Sequence, residues 1–224
     1  RRITMGSLKQ NFYNANHAFN FLWDYIVDNG ENFDNTKAIF NCGFYIHNPL
    51  ENTIDVDFRE WNKEYANAEW LWYLSGDPNI KKLGKIYGKI PPIWKRMANS
   101  RGLVNSNYGW QWQRKDQLGY IVHKLKNHKE TRHAVISIYD AKEKDMYKHD
   151  TPCTCAIHFH IIKDKLCMSV MMRSNDLWYG FCNDQYCFSK LQELVAKKLK
   201  LPLGWYYHYA SNMHIYNDKL PKTK

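Results

Sequence analysis

The chain has 224 residues, 44% apolar and 16% aromatic, which is enough for one well-buried domain, expected to span residues 1–224. No apolar run approaches the roughly 20 residues that cross a bilayer, and the opening RRITMGSLKQ lacks the apolar stretch of a secretory signal, so no membrane partner and a cytoplasmic location are expected. Lys and Arg number 32 against 22 Asp and Glu, a net charge of +10 that favours anionic ligands, from mononucleotides to nucleic acid. The basic residues are dispersed rather than gathered in one block.

In chain order, residues 16–30 repeat apolar side chains at helical spacing and stop on Asn-Gly, which predicts a helix. Residues 37–49 read as a strand. Residues 58–80 carry helical periodicity again, with Tyr65, Glu69, Trp72 and Tyr73 near one face, and close at Gly76 and Pro78. A polar, glycine-containing middle (91–115) has too many tryptophans for an idle linker. A helix in DQLGYIVHKLKNHKE and a strand in RHAVISIYD follow. The last third predicts strands at 153–163 and 165–173, a helix at about 184–200 and a strand at 204–216. The class is α+β with a large mixed sheet.

Six cysteines stand at positions 42, 153, 155, 167, 182 and 187 without a secreted-type framework, so thiols are expected. Residues 150–160 read DTPCTCAIHFH. On a strand, Cys153 and Cys155 point one way while His158 and His160 point the other, so one tetrahedral metal site does not collect all four and no metal is expected. A disulfide across Cys-x-Cys would be strained. Position separates the two thiols: Cys153 follows the rigid Pro152 at a strand entry, where a nucleophile is preorganised, and Cys155 is read as core.

Downstream, MRSNDLWYGFCNDQY sets Arg173, Ser174 and Asp176 together at a strand end. An Arg-Ser pair forks onto a phosphate, and the carboxylate stands ready for a polar ring. Together with Pro152-Cys153 and the late MHIY, this ordered set resembles the thymidylate synthase superfamily. AEWLWYLSGDPNI looks like the family helix that bears the catalytic glutamate, which falls on Glu69. PIWKRMANSRGLVNSNYGWQW looks like the Ile-Trp folate wall and the Tyr-Gly turn, falling on Ile93, Trp94 and Tyr108. KETRHAV resembles the segment in which a partner subunit lends two arginines to the phosphate, with Arg132 followed here by His133. NSNYGW, the MRSND…GF…ND pattern and the Cys-Thr pair resemble the phage deoxycytidylate hydroxymethylase branch.

The resemblance implies a thymidylate synthase-like fold, a sheet-to-sheet homodimer with Arg132 lent across the interface, and 5,10-methylenetetrahydrofolate as one-carbon donor. Cys153 is then the nucleophile that adds to carbon 6 of a pyrimidine, and Glu69 directs water and proton transfers. Arg173, Ser174, Arg132 and His133 fall on the phosphate, His214 and Tyr216 on the sugar, Tyr108 and Asp176 on the substrate, and Ile93, Trp94 and again Asp176 on the folate side. Family synthases place asparagine eleven residues after the phosphate-strand arginine; here that position is Asp184. An asparagine amide mirrors the donor and acceptor of uracil, whereas a carboxyl group suits the reversed edge of cytosine. The expected activity is therefore dCMP 5-hydroxymethylation, in a host's cytoplasm if a phage encodes the chain, with no nucleic acid required. The alternatives are synthase-type methylation of dUMP or dCMP, and a basic nucleic-acid-binding protein with a vestigial nucleotide pocket. A local alternative for Asp184 is a helix N-cap.

Overall fold

The computed structural model describes residues 10–140 and 150–221. The opening RRITMGSLK lies outside them. The chain divides into two compact units, one running to Trp61 and resuming at Ile162, the other spanning Asn62–Ile161.

The first unit opens with β1 (Gln10–Phe12), α1 (Ala15–Asn29), β2 (Glu31–Phe33) and β3 (Thr36–Ile46). Asn14 caps α1 by accepting from the His17 backbone N–H at 2.9 Å. The helical spacing seen in the sequence buries Ala15, Ala18, Phe19, Leu22, Trp23 and Ile26 on one face.

In the second unit, the helix expected over 58–80 is shorter and has a neighbour. Asn62 accepts from the Tyr65 N–H at 2.8 Å, so α2 starts at Lys63 and ends at Leu74 (Lys63–Leu74), just before Gly76 at φ 63°. A separate α3 (Ile80–Tyr87) is capped by Asn79 and ends at Gly88 with φ 83°. The tryptophan-rich middle holds α4 (Pro92–Met97), opened by a proline at its start, and α5 (Tyr108–Gln113), capped by Asn107. Then come α6 (Gln117–Asn127), β4 (Val135–Ser137) and β5 (Thr154–Ile162), with β4 antiparallel to β5.

The first unit resumes with β6 (Lys165–Met172), β7 (Asn175–Asp176), a π-helical turn at Leu177–Phe181, α7 (Cys182–Leu199) and β8 (Leu203–Tyr216). Its sheet runs β1-β3-β8-β6, with β2 on β3 and β7 on β8. β1 is parallel to β3, β3 antiparallel to β8, and β6 and β7 parallel to β8, so the sheet is mixed. Both α1 and α7 pack on it and on each other. Phe44, Tyr206, His208, Val170 and Met172 are buried, whereas Tyr45, Tyr207 and Tyr209, alternate to them, are half-buried. The α+β class with a large mixed sheet flanked by helices stands. No helix among the described residues is long and apolar enough to cross a membrane.

Gly109 lets α5 press against the end of α2, because a Cβ there would overlap the Tyr73 carbonyl. We expect Gly109→Ala to cost about 3 kcal/mol or more in denaturant unfolding. Gly88→Ala, with φ 83° but nothing within 4 Å of the added carbon, should cost only about 1 kcal/mol.

Candidate functional site

Cys153 lies immediately before β5 and is half-buried. The segment around it is held from both sides by one polar stretch of the same unit. Upstream, buried Asp150 accepts from the Ser106 N–H at 2.7 Å and from the Ser106 hydroxyl, while its carbonyl accepts from Asn105 Nδ2 at 3.0 Å. Downstream, the Thr154 N–H donates to the Tyr108 hydroxyl at 3.3 Å. Asn107 is fully buried and ties this bracket to α2's end by donating to the Asp77 carbonyl at 3.2 Å. Tyr108 therefore sits beside the backbone that carries Cys153. Neither Asp150 nor Ser106 was nominated by the sequence, although NSNYGW contains Ser106. Cys155 differs from its core assignment: Thr154 is fully buried and Cys155 is only half-buried. None of the six cysteines is in a disulfide. His158 and His160 share a face, with ring centroids 6.1 Å apart.

Glu69 is buried on α2, 5% exposed, rather than a solvated helix carboxylate. It accepts from the Tyr73 hydroxyl at 2.6 Å, and the Tyr65 hydroxyl also hydrogen-bonds it. Tyr65 and Tyr73 stand one turn either side of Glu69, so both reach it along one stripe. Trp94 Nε1 donates to the Tyr65 oxygen at 2.7 Å, linking the Trp94 indole to the carboxyl through one hydroxyl. Burial pushes the Glu69 pKa up, and the two tyrosine donors oppose the shift. Trp94 is buried with its ring edge-on to Trp72 at 5.1 Å, and Ile93 beside it is exposed. Arg132 and His133 are both exposed just before β4.

In the other unit, β6 and β7 both follow β8, with Met172 opposite Ala210 and Asn175 opposite Met213. Arg173 and Ser174 occupy the interruption between them. This brings Arg173 near His214, whose pKa is pushed down by burial and by the Arg173 charge, against a hydrogen bond with Asn212 that pushes it up. His214 Nδ1 lies 2.8 Å from Asn212 Oδ1, and its ring meets that of Tyr216 edge-on at 5.3 Å.

Asp176 caps the π turn, accepting from the Trp178 N–H at 3.0 Å and the Tyr179 N–H at 2.8 Å. Burial pushes its pKa up to about 6, against those N–H donors and the Arg59 charge. Arg59, which the sequence did not single out, donates to the Trp178 carbonyl at 2.8 Å and lies over the Trp178 ring at 5.1 Å. Asp184 is not an N-cap: α7 starts at Cys182 with no side-chain cap, and Asp184 lies within its first turn. Its Oδ2 accepts from Asn175 Nδ2 at 2.7 Å. Asn175 Oδ1 in turn meets His208 Nε2 at 3.0 Å, and His208 Nδ1 meets the Tyr206 hydroxyl at 2.7 Å. Sequence reasoning missed this chain. Asn175 was visible inside RSND, but His208 in YYHY read only as a strand residue.

Tyr65→Phe removes one of the two donors that hold Glu69 down, so its carboxyl should titrate at higher pH than in the parent, as read by carboxyl ¹³C NMR. Asp176 has a raised folded pKa, so its contribution to stability is present below about pH 3.8 and is lost as pH rises through about 6. Asp176→Asn should therefore reduce the fall in unfolding free energy across that window by at most about 1.4 kcal/mol per pH unit, measured by urea titrations at each pH.

A family model described as thymidylate synthase matches residues 19–224. The chain is 28% identical over 165 residues to the thymidylate synthase of Buchnera aphidicola subsp. Baizongia pistaciae, covering 70% of this chain and 61% of that one. It is 30% identical over 183 residues to the deoxyuridylate hydroxymethyltransferase of Pseudomonas phage M6, covering 78% and 50%. The chain thus spans about three fifths or less of the length of these curated relatives. Thermostable thymidylate synthase A from Bacillus subtilis superposes with a TM-score of 0.77 over 91% of this chain and 80% of that one, at 22% identity, a likeness of fold. With the family model covering nearly its whole length, the chain belongs to the thymidylate synthase family.

Proposed function

We propose that the chain carries out a folate-dependent one-carbon transfer to carbon 5 of a pyrimidine deoxynucleotide, as one catalytic domain with cytosine as its base. Family membership supports the reaction class, and a carboxylate at position 184 supports the base. Carbon 5 is a poor nucleophile until a thiolate adds at carbon 6. Cys153 makes that bond, carbon 5 takes up the one-carbon unit and loses its proton, and the Cys153–carbon 6 bond then breaks. A free thiol has a pKa of about 8.5, so forming the thiolate is part of the site's work.

Arg173 and Ser174 bind the phosphate, with Arg132 and His133 supplied by a second subunit, and His214 and Tyr216 hold the sugar. Tyr108 orients the segment that carries the nucleophile. Glu69, buried and hydrogen-bonded by two tyrosines, moves protons and positions water. 5,10-Methylenetetrahydrofolate supplies the one-carbon unit; exposed Ile93 beside Trp94, and the protonatable Asp176, suit a flat ring with polar edges. The half-buried aromatic face of Tyr45, Tyr207 and Tyr209 supports a sheet-to-sheet homodimer.

For the product, the relatives named as thymidylate synthases favour methyl transfer over the hydroxymethyl outcome read from the sequence. Hydroxymethylation is the second reading, and the relative named as a deoxyuridylate hydroxymethyltransferase favours it. Mass analysis of the product from dCMP and from dUMP separates them: methyl product comes with dihydrofolate, hydroxymethyl product with tetrahydrofolate. Asp184→Asn should move the kcat/KM ratio toward dUMP at least tenfold, and Cys153→Ser should abolish turnover. Failure of the parent to release tritium from carbon 5 of either nucleotide would reject the whole reading.

A further inference from the structure

Asp184 is held from behind by side chains that are otherwise sealed from solvent. Tyr206 and His208 are fully buried and Asn175 is 2% exposed. Each has a definite direction of donation. A carboxylate oxygen accepts, so the Asn175 group facing Asp184 Oδ2 at 2.7 Å is its NH2. The amide oxygen then faces His208 Nε2 at 3.0 Å, which requires that nitrogen to carry the hydrogen. His208 Nδ1 is left as the acceptor, and the Tyr206 hydroxyl donates to it at 2.7 Å.

The surroundings keep this order. The His208 ring stacks on Phe44 and meets Phe181 edge-on, each at 5.3 Å. Burial pushes its pKa down to about 3, so it is a neutral imidazole with one hydrogen. Gly180 makes room for the last link: a Cβ there would lie 2.8 Å from Asn175 Nδ2 and 3.3 Å from Asp184 Oδ2. An ordinary core histidine needs only satisfied nitrogens. This one passes its hydrogen bond through an amide to a half-buried carboxylate in the first turn of α7.

We propose that Asn175 and His208 are positioning residues for base specificity, a one-way series of donors that locks the rotation of the Asp184 carboxylate. Because Oδ2 accepts from Asn175, a proton on this carboxyl resides on Oδ1, so the acid form donates in one direction only. This rests on the reading of Asp184 as the residue that senses the pyrimidine's amino edge.

Imidazole ¹⁵N NMR of the unmodified chain should find His208 as the Nε2–H tautomer; an Nδ1–H tautomer overturns the proposal. Equilibrium binding of dCMP and dUMP should then show a parent preference for dCMP that falls at least tenfold in Asn175→Leu. Gly180→Ala, which crowds the same bond without removing a polar group, should lower it in the same direction and covers the case in which Asn175→Leu does not fold. A parent preference for dCMP that survives in folded variants overturns the relay alone. A parent that binds dUMP as tightly as dCMP overturns the base reading, and the specificity role with it.

Discussion

A buried amide that gives a hydrogen to a carboxylate ties two strands and a helix of the first unit together. Asn175 on β7 reaches His208 on β8 with one end and Asp184 on α7 with the other. Leaving either group unpaired inside the protein would cost about 1–3 kcal/mol, so strand, turn and helix start are fixed relative to one another. The intervening π turn fits because Asp176 satisfies its N–H groups and Arg59 takes the Trp178 carbonyl. Glycine at position 180 keeps the crossing point open.

The second unit solves a similar problem for Glu69. A carboxyl so deeply buried is unfavourable as an anion unless donors surround it, and a helix offers neighbours only at three and four residues' distance. Tyr65 and Tyr73 occupy those places, and Trp94 extends the series by donating to Tyr65. The bracket on the Cys153 segment uses the same economy of parts. Ser106, Asn107 and Tyr108, adjacent in sequence, hold Asp150, the end of α2 and Thr154 respectively.

The long elements were legible because their periods are distinct. α1, α7 and the strands β3, β5, β6 and β8 lie where apolar spacing or alternation put them. α3, α4 and α5 were not assigned, since helices of six to eight residues are set by caps and turns such as Asn79, Pro92 and Asn107, more than by a repeating pattern. The early start assigned to α2 failed for the same reason: Asn62, not the apolar stripe, decides where it begins. As candidate site residues, Cys153, Glu69, Arg173 and Asp184 were nominated by short motifs. Asp150, Asn175, His208 and Arg59 were not, because each matters through a partner remote along the chain.

Sequence by itself determined the family, the order of the long elements and which side chains are candidates for a site, because apolar period and motif spacing are local properties. Only the tertiary structure decided that Glu69 is buried between two hydroxyls, that Asp184 is turned toward Asn175 instead of capping its helix, and that His208 is neutral. Those states depend on desolvation and on hydrogen-bond partners up to 33 residues away, such as Asn175 for His208, and no local pattern encodes them.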